Sequence, residues 1–115
     1  MEKAERTLFY FSSDAIGSGN DELGRLLMRN LLKALLDSPP LPERMVFLNS
    51  GVRLTTEGSP VLESLKEFEN QGVEILSCGT CLDYFSLKDK LMVGKVTNMF
   101  DIISSLQTFD RVVRP

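Results

Sequence analysis

The chain of 115 residues contains no histidine and only two cysteines. Without imidazole there is no histidine general base, and a single chain cannot complete a tetrahedral zinc site from two thiolates; only a dimer supplies four. Nor is there a surplus of positive charge. Thirteen basic residues against sixteen acidic ones leave a net charge of −3, and the basic residues are scattered, so the electrostatic footprint of a nucleic-acid binder is missing. No apolar run is long enough to span a bilayer, and the start, MEKAERT, lacks the apolar core of a signal peptide. A cytoplasmic protein with no membrane partner is the expectation. The stretch Gly17 to Gly24, "GSGNDELG", lacks both the Lys-Ser/Thr of a P-loop and the Gly-x-Gly-x-x-Gly spacing. No repeat, low-complexity tract or linker divides the chain, so residues 1–115 are expected to form one domain.

What is present is an alternation of short apolar runs and helical stripes. "TLFYFS" (Thr7 to Ser12) suits a strand buried on both faces. Asp21 to Leu36 carries Leu23, Leu26, Leu27, Leu31, Leu32 and Leu35 at helical spacing, expected to face the core, with Asp21 and Glu22 in its first turn. Prolines in "DSPPLP" end that helix. "RMVFLN" (Arg44 to Asn49) is a second strand, and Ser59-Pro60 opens a helix bearing Val61, Leu62, Leu65 and Phe68. Val73 to Ser77 is a third strand, Leu91 to Val96 a weak fourth, and "DRVVRP" (Asp110 to Pro115) a fifth. Between the last two, Thr97 or Asn98 caps a helix with Met99, Ile102, Ile103 and Leu106 inward. The order β-α-β-α-β-α-β-α-β predicts an α/β fold: a five-stranded, mostly parallel sheet between two helical layers, with the flavodoxin-like strand order 2-1-3-4-5.

Both cysteines lie in "SCGTC" (Ser77 to Cys81), directly after the third strand. With that strand order, the loops after strands one and three flank one crevice at the carboxyl end of the sheet, where ligands of such folds bind. Cys78 and Cys81 then sit at a helix start, whose amides favour a thiolate nucleophile. Gly79 allows close backbone approach, Thr80 offers a hydroxyl, and Gly17, Ser18 and Gly19 supply amides or hydroxyls for an anion. Asp14, Asn20 and Asp83 are further polar residues near the crevice, while Tyr84, Phe85 and Leu87 suit either core or a partner surface. Residue types and spacing leave three readings open: packed cysteines in a binding or oligomerisation module, a Cys-x-x-Cys dithiol redox protein, or nucleophilic sulfur chemistry. None of these needs a metal or an organic cofactor.

The stretch "GVEILSCGTCLDYFSLKDKLMVGKVTNMFDI" (Gly72 to Ile102) resembles the DsrE/DsrF-like sulfurtransferase family, and within it the selenium-metabolism branch of YedF type. The likeness extends over "LFYFSSDAIGSGNDELGRLLMRNLLKAL" and "VFLNSGVRLTTEGSPVLESL". The resemblance implies a DsrE/F-like fold in homo-oligomers. It also implies that Cys78, after the third strand, accepts sulfur or selenium as a persulfide-type adduct. Cys81 belongs to the pattern of the branch, with a resolving, relay or selenium-handling role. Implied partners are sulfur donors and acceptors, a TusA-like carrier or a cysteine desulfurase. Members of the branch usually carry an additional N-terminal TusA-like domain with a Cys-Pro-x-Pro motif, which is not in this sequence, so the resemblance implies either the C-terminal DsrE-like domain alone or a stand-alone relative.

Overall fold

Five parallel strands form one sheet in the order β4-β3-β2-β1-β5 in the computed structural model, which describes residues 5–115. They are β1 (Thr7–Phe11), β2 (Arg44–Phe47), β3 (Glu74–Cys78), β4 (Lys95–Thr97) and β5 (Arg111–Val113). Four helices connect them: α1 (Asp21–Leu36), α2 (Leu62–Asn70), α3 (Gly79–Tyr84) and α4 (Met99–Thr108). Most of Met1–Glu5, which opens the MEKAERT start, lies outside the described residues.

The expected class, a five-stranded parallel sheet with helices on both faces, is the one observed. The strand order differs in detail from 2-1-3-4-5. β2, not β3, is the neighbour of β1, and β5 occupies the other side of β1. Right-handed crossovers explain the layering. Three successive steps from β1 to β4 move the same way and put α1, α2 and α3 on one face. The last connection runs back to the free side of β1 and puts α4 on the opposite face.

Alternation along the strands divides the core accordingly. Phe9, Phe11, Met45, Phe47 and Ile75 face α1 and α2, meeting Met28, Leu32, Leu65 and Phe68. The rings of Phe11 and Phe47 stack with centroids 4.9 Å apart. Leu8, Val46 and Cys78 face the other way and meet Ile102 and Phe109. This second layer is thin, because α4 alone covers it.

Side-chain caps start two helices where the sequence placed them. Asn20 accepts from the Leu23 amide at 2.8 Å and Asn98 from the Asp101 amide at 3.0 Å. In α1 the buried residues are Gly24, Met28 and Leu32. Leu23, Leu26 and Leu27 point to solvent, Leu23 at 52% exposure, which corrects the expectation that the whole leucine stripe is core. The loop before the helix folds onto Gly24, where a Cβ would lie 2.9 Å from that of Ala15 and 3.0 Å from the Ile16 carbonyl oxygen. That close approach rotates the inward stripe onto the glycine. On α4, likewise, Ile102 is inward while Met99, Ile103 and Leu106 are exposed. No helix among the described residues is long and apolar enough to cross a membrane.

Candidate functional site

Because β2 stands between β1 and β3, the segment after β2 bridges the two loops expected to flank a crevice. That segment is a 3₁₀ helix, Asn49–Leu54. Two features hold it against the carboxyl end of the sheet. Gly51 approaches β1 so closely that a Cβ would sit 2.5 Å from the Phe11 carbonyl oxygen, so only glycine fits. Beyond it, the Thr55 hydroxyl meets the Ser77 hydroxyl of β3 at 2.7 Å, both fully buried, and donates to the Val52 carbonyl at 3.0 Å. Ser77 is therefore the donor to Thr55, since each hydroxyl has one proton.

So anchored, the 3₁₀ helix presents its first residue to the cysteines. Asn49 takes a left-handed backbone conformation, φ 52, and donates its amide to Cys81 Sγ at 3.0 Å. Asparagine tolerates this region better than most residues. Cys81 is half-buried and lines an open cavity of about 410 Å³ with Asn49, Thr80, Tyr84 and Phe85. Cys78, the last residue of β3, is 3% exposed and packs beneath α4. Cys81 packs against the same cluster, and the two thiols are both free and interact.

The electrostatics differ from the helix-start expectation. Burial pushes the Cys81 thiol above its ordinary value; the Asn49 amide pulls it down, and the Cys78 thiol beside it pushes it up again. The net direction is upward. The helix that Cys78 caps, α3, has only six residues, so the amide of Asn49 rather than a helix dipole is the local donor to a Cys81 thiolate.

The other candidate residues separate into two groups. Thr80 is exposed and joins Cys81 at the cavity. Gly79 instead packs on β4, where a Cβ would lie 3.1 Å from Val96 Cγ1 and 3.4 Å from the Thr97 carbonyl oxygen. Gly17, Ser18 and Gly19 are exposed on the loop before α1 and do not line the Cys81 cavity. Asp83 pairs loosely with Lys88 at 3.5 Å, and Asn20 is the cap of α1. Tyr84 is exposed, whereas Phe85 and Leu87 are half-buried against the first core layer.

Two participants were not visible in the pattern of residues. Asn49 reads as the end of a strand, and only its backbone contributes. Thr97 is the register partner of Cys78 on β4, and its hydroxyl is buried without a hydrogen-bond partner. An unpaired buried hydroxyl is uncommon. No cluster of three metal-ligating side chains occurs among the described residues.

The family model described as DsrE/DsrF-like matches residues 8–115. No curated protein sequence matches the chain. Among solved structures, the ychN protein from E. coli superposes with a TM-score of 0.75 at 15% identity, covering 97% of this chain and 100% of that one. MTH1491 from Methanobacterium thermoautotrophicum, a protein of unknown function, gives a TM-score of 0.70 at 20% identity with the same coverage. At such identities the likeness shows the fold.

Proposed function

The chain belongs to the DsrE/DsrF-like family, and from that premise we propose that it is a sulfur carrier that loads a cysteine persulfide and relays it to a partner. The observation that carries this reading is the position of Cys81 Sγ: open to a cavity, held by the Asn49 amide, and next to a second, buried free thiol. The Cys81 thiolate attacks the outer sulfur of a donor persulfide. The new bond is Cys81 S–S, the donor S–S bond breaks, and the donor leaves as a thiolate. Cys78 then takes the outer sulfur from Cys81 by the same redox-neutral exchange, which regenerates the Cys81 thiolate. The persulfide so formed lies at the buried end of β3, away from solvent. In this order Cys78 keeps the carrier role implied by the family pattern, and Cys81 is the point of entry.

The motif Cys-Gly-Thr-Cys-Leu-Asp-Tyr-Phe supports the selenium-metabolism branch, in which selenium takes the place of the transferred sulfur. A TusA-like carrier or a cysteine desulfurase is the fitting donor, in the cytoplasm. Assembly into a homo-oligomer is supported by the apolar side chains that α4 exposes, Met99, Phe100, Ile103 and Leu106.

The test is to incubate reduced protein with a cysteine desulfurase and cysteine and to weigh the intact chain. One added sulfur in the wild type, lost in Cys81→Ala and more readily stripped by reductant in Cys78→Ala, is the expected result. Loading retained in Cys81→Ala but lost in Cys78→Ala would make Cys78 the entry thiol. No adduct in the wild type overturns the carrier reading, and a reversible Cys78–Cys81 disulfide without an adduct would favour dithiol redox chemistry.

A further inference from the structure

A second cavity, about 410 Å³, opens between α1 and the segment that follows the 3₁₀ helix, and three arginines line it: Arg25, Arg29 and Arg53. Arg25 and Arg29 are four residues apart on α1 and so share a face. None of the three has a carboxylate within 4.0 Å among the described residues, where Arg6 and Arg44 both do. Two carboxylates line the same cavity, but Glu57 faces Lys90 at 3.8 Å, which leaves Asp14 as the free one. The guanidinium of Arg53 lies over the Phe85 ring, 4.7 Å from its centroid. Phe85 lines this cavity and also the one that holds Cys81, so a single ring forms the wall common to both.

We propose that the arginine cavity binds the carboxylates of a small zwitterionic thiol peptide, whose sulfur end reaches past Phe85 to Cys81. The charges select this class. Guanidinium forks match carboxylates, Asp14 matches an ammonium group, and the apolar part of the wall suits the carbon skeleton. A cavity of this size admits a di- or tripeptide and not a folded carrier domain. The reactive half of the proposal rests on the sulfur-carrier reading; the binding half does not. In the reactive half, the peptide arrives as a persulfide, Cys81 takes its outer sulfur, and the peptide leaves as its thiolate, with no net oxidation.

Two measurements on the full chain separate the halves. Binding of S-methylglutathione, which has no free thiol, is measured by titration calorimetry on wild type, Arg29→Gln, Arg53→Gln and the double variant Cys78→Ala/Cys81→Ala. Loading is then measured by intact mass with glutathione persulfide and with its diethyl ester, which lacks both carboxylate charges. Saturable binding that survives in the double cysteine variant and weakens roughly tenfold with each arginine change is the expected result. Loading by the free acid then slows in the arginine variants, while loading by the ester does not. Absence of saturable binding in the wild type, or equal binding in correctly folded arginine variants, overturns the proposal. Binding with no loading from either persulfide would leave the pocket standing and overturn the reactive half, and the carrier reading itself then stands or falls on loading by the cysteine desulfurase.

Discussion

The backbone amide of Asn49 reaches the sulfur of Cys81 at 3.0 Å, although 32 residues separate them along the chain. Two parallel neighbours in the sheet, β2 and β3, end side by side, so the segment leaving one strand passes over the segment leaving the other. The left-handed turn at Asn49, φ 52, then aims the amide. A donor from the backbone is insensitive to side-chain chemistry but sensitive to anything that changes the turn.

Asn49→Gly is therefore expected to preserve both stability and thiol reactivity, because glycine adopts this conformation freely and keeps the amide. Asn49→Val is expected to lose about 1–3 kcal/mol, since a β-branched residue is strained at positive φ. It also raises the Cys81 thiol further, by misdirecting the amide. Urea denaturation and the rate of Cys81 alkylation report the two effects. Equal behaviour of the two variants would mean that the turn does not govern the thiol.

Much of the frame was legible from hydrophobic pattern and caps. α1 has the bounds Asp21–Leu36 that its stripe and acidic first turn predict, and Asn98 caps α4 as its position before Met99 predicts. What was not legible depended on long-range placement. The strand order followed from which way each crossover steps, and no local pattern encodes that direction. The segment "NSGVRL" has no amphipathic period, so its 3₁₀ form and its contact with Cys81 emerge only once Gly51 meets Phe11 and Thr55 meets Ser77. β4, expected over Leu91 to Val96, is confined to Lys95–Thr97, where it pairs with β3. The relative accessibility of Cys78 and Cys81 was hidden for the same reason: it is set by α4, which arrives from the far edge of the sheet.

The hydroxyl pair beneath the site gives a second prediction. Ser77→Ala or Thr55→Val, each alone, leaves a buried partner short of one hydrogen bond and is expected to cost about 1–3 kcal/mol. The double variant removes both groups and should cost less than the sum of the two single changes, because the pair is in direct contact at 2.7 Å. Chemical denaturation of the four proteins measures the coupling. Additive losses would show that the pair contributes packing only.

The direction of the Cys81 shift sets a pH dependence. Burial, the largest cause, disfavours the thiolate, so Cys81 ionises at higher pH in the folded protein than in the unfolded chain. Its alkylation should rise with pH and reach its midpoint above the free-cysteine value of about 8.5. Stability follows with the opposite sign. The contribution is fully present below the unfolded pKa and is lost as pH rises through the folded one, because the unfolded state releases the proton first. Cys78→Ala removes one of the groups that push the thiol up and should lower the midpoint. A midpoint at or below that of the urea-unfolded chain would contradict the burial of Cys81.

The apolar surface of α4 carries the last prediction. Ile102 and Ser105 face the sheet, while Met99, Phe100, Ile103 and Leu106 are exposed, Phe100 at 89%. Together these side chains form an apolar surface of the kind that monomers seldom leave uncovered. Phe100 lies in the first turn of the helix, where a negative charge suits the dipole, so Phe100→Asp should leave the fold intact. In a homo-oligomer the same change buries an unpaired carboxylate at the contact and should shift the mass measured by light scattering towards the 12.9 kDa of one chain. A wild-type mass of one chain at every concentration would remove the assembly, and an unchanged oligomer in Phe100→Asp would move the contact to another face, with Leu23, Leu26 and Leu27 of α1 the next apolar surface to substitute.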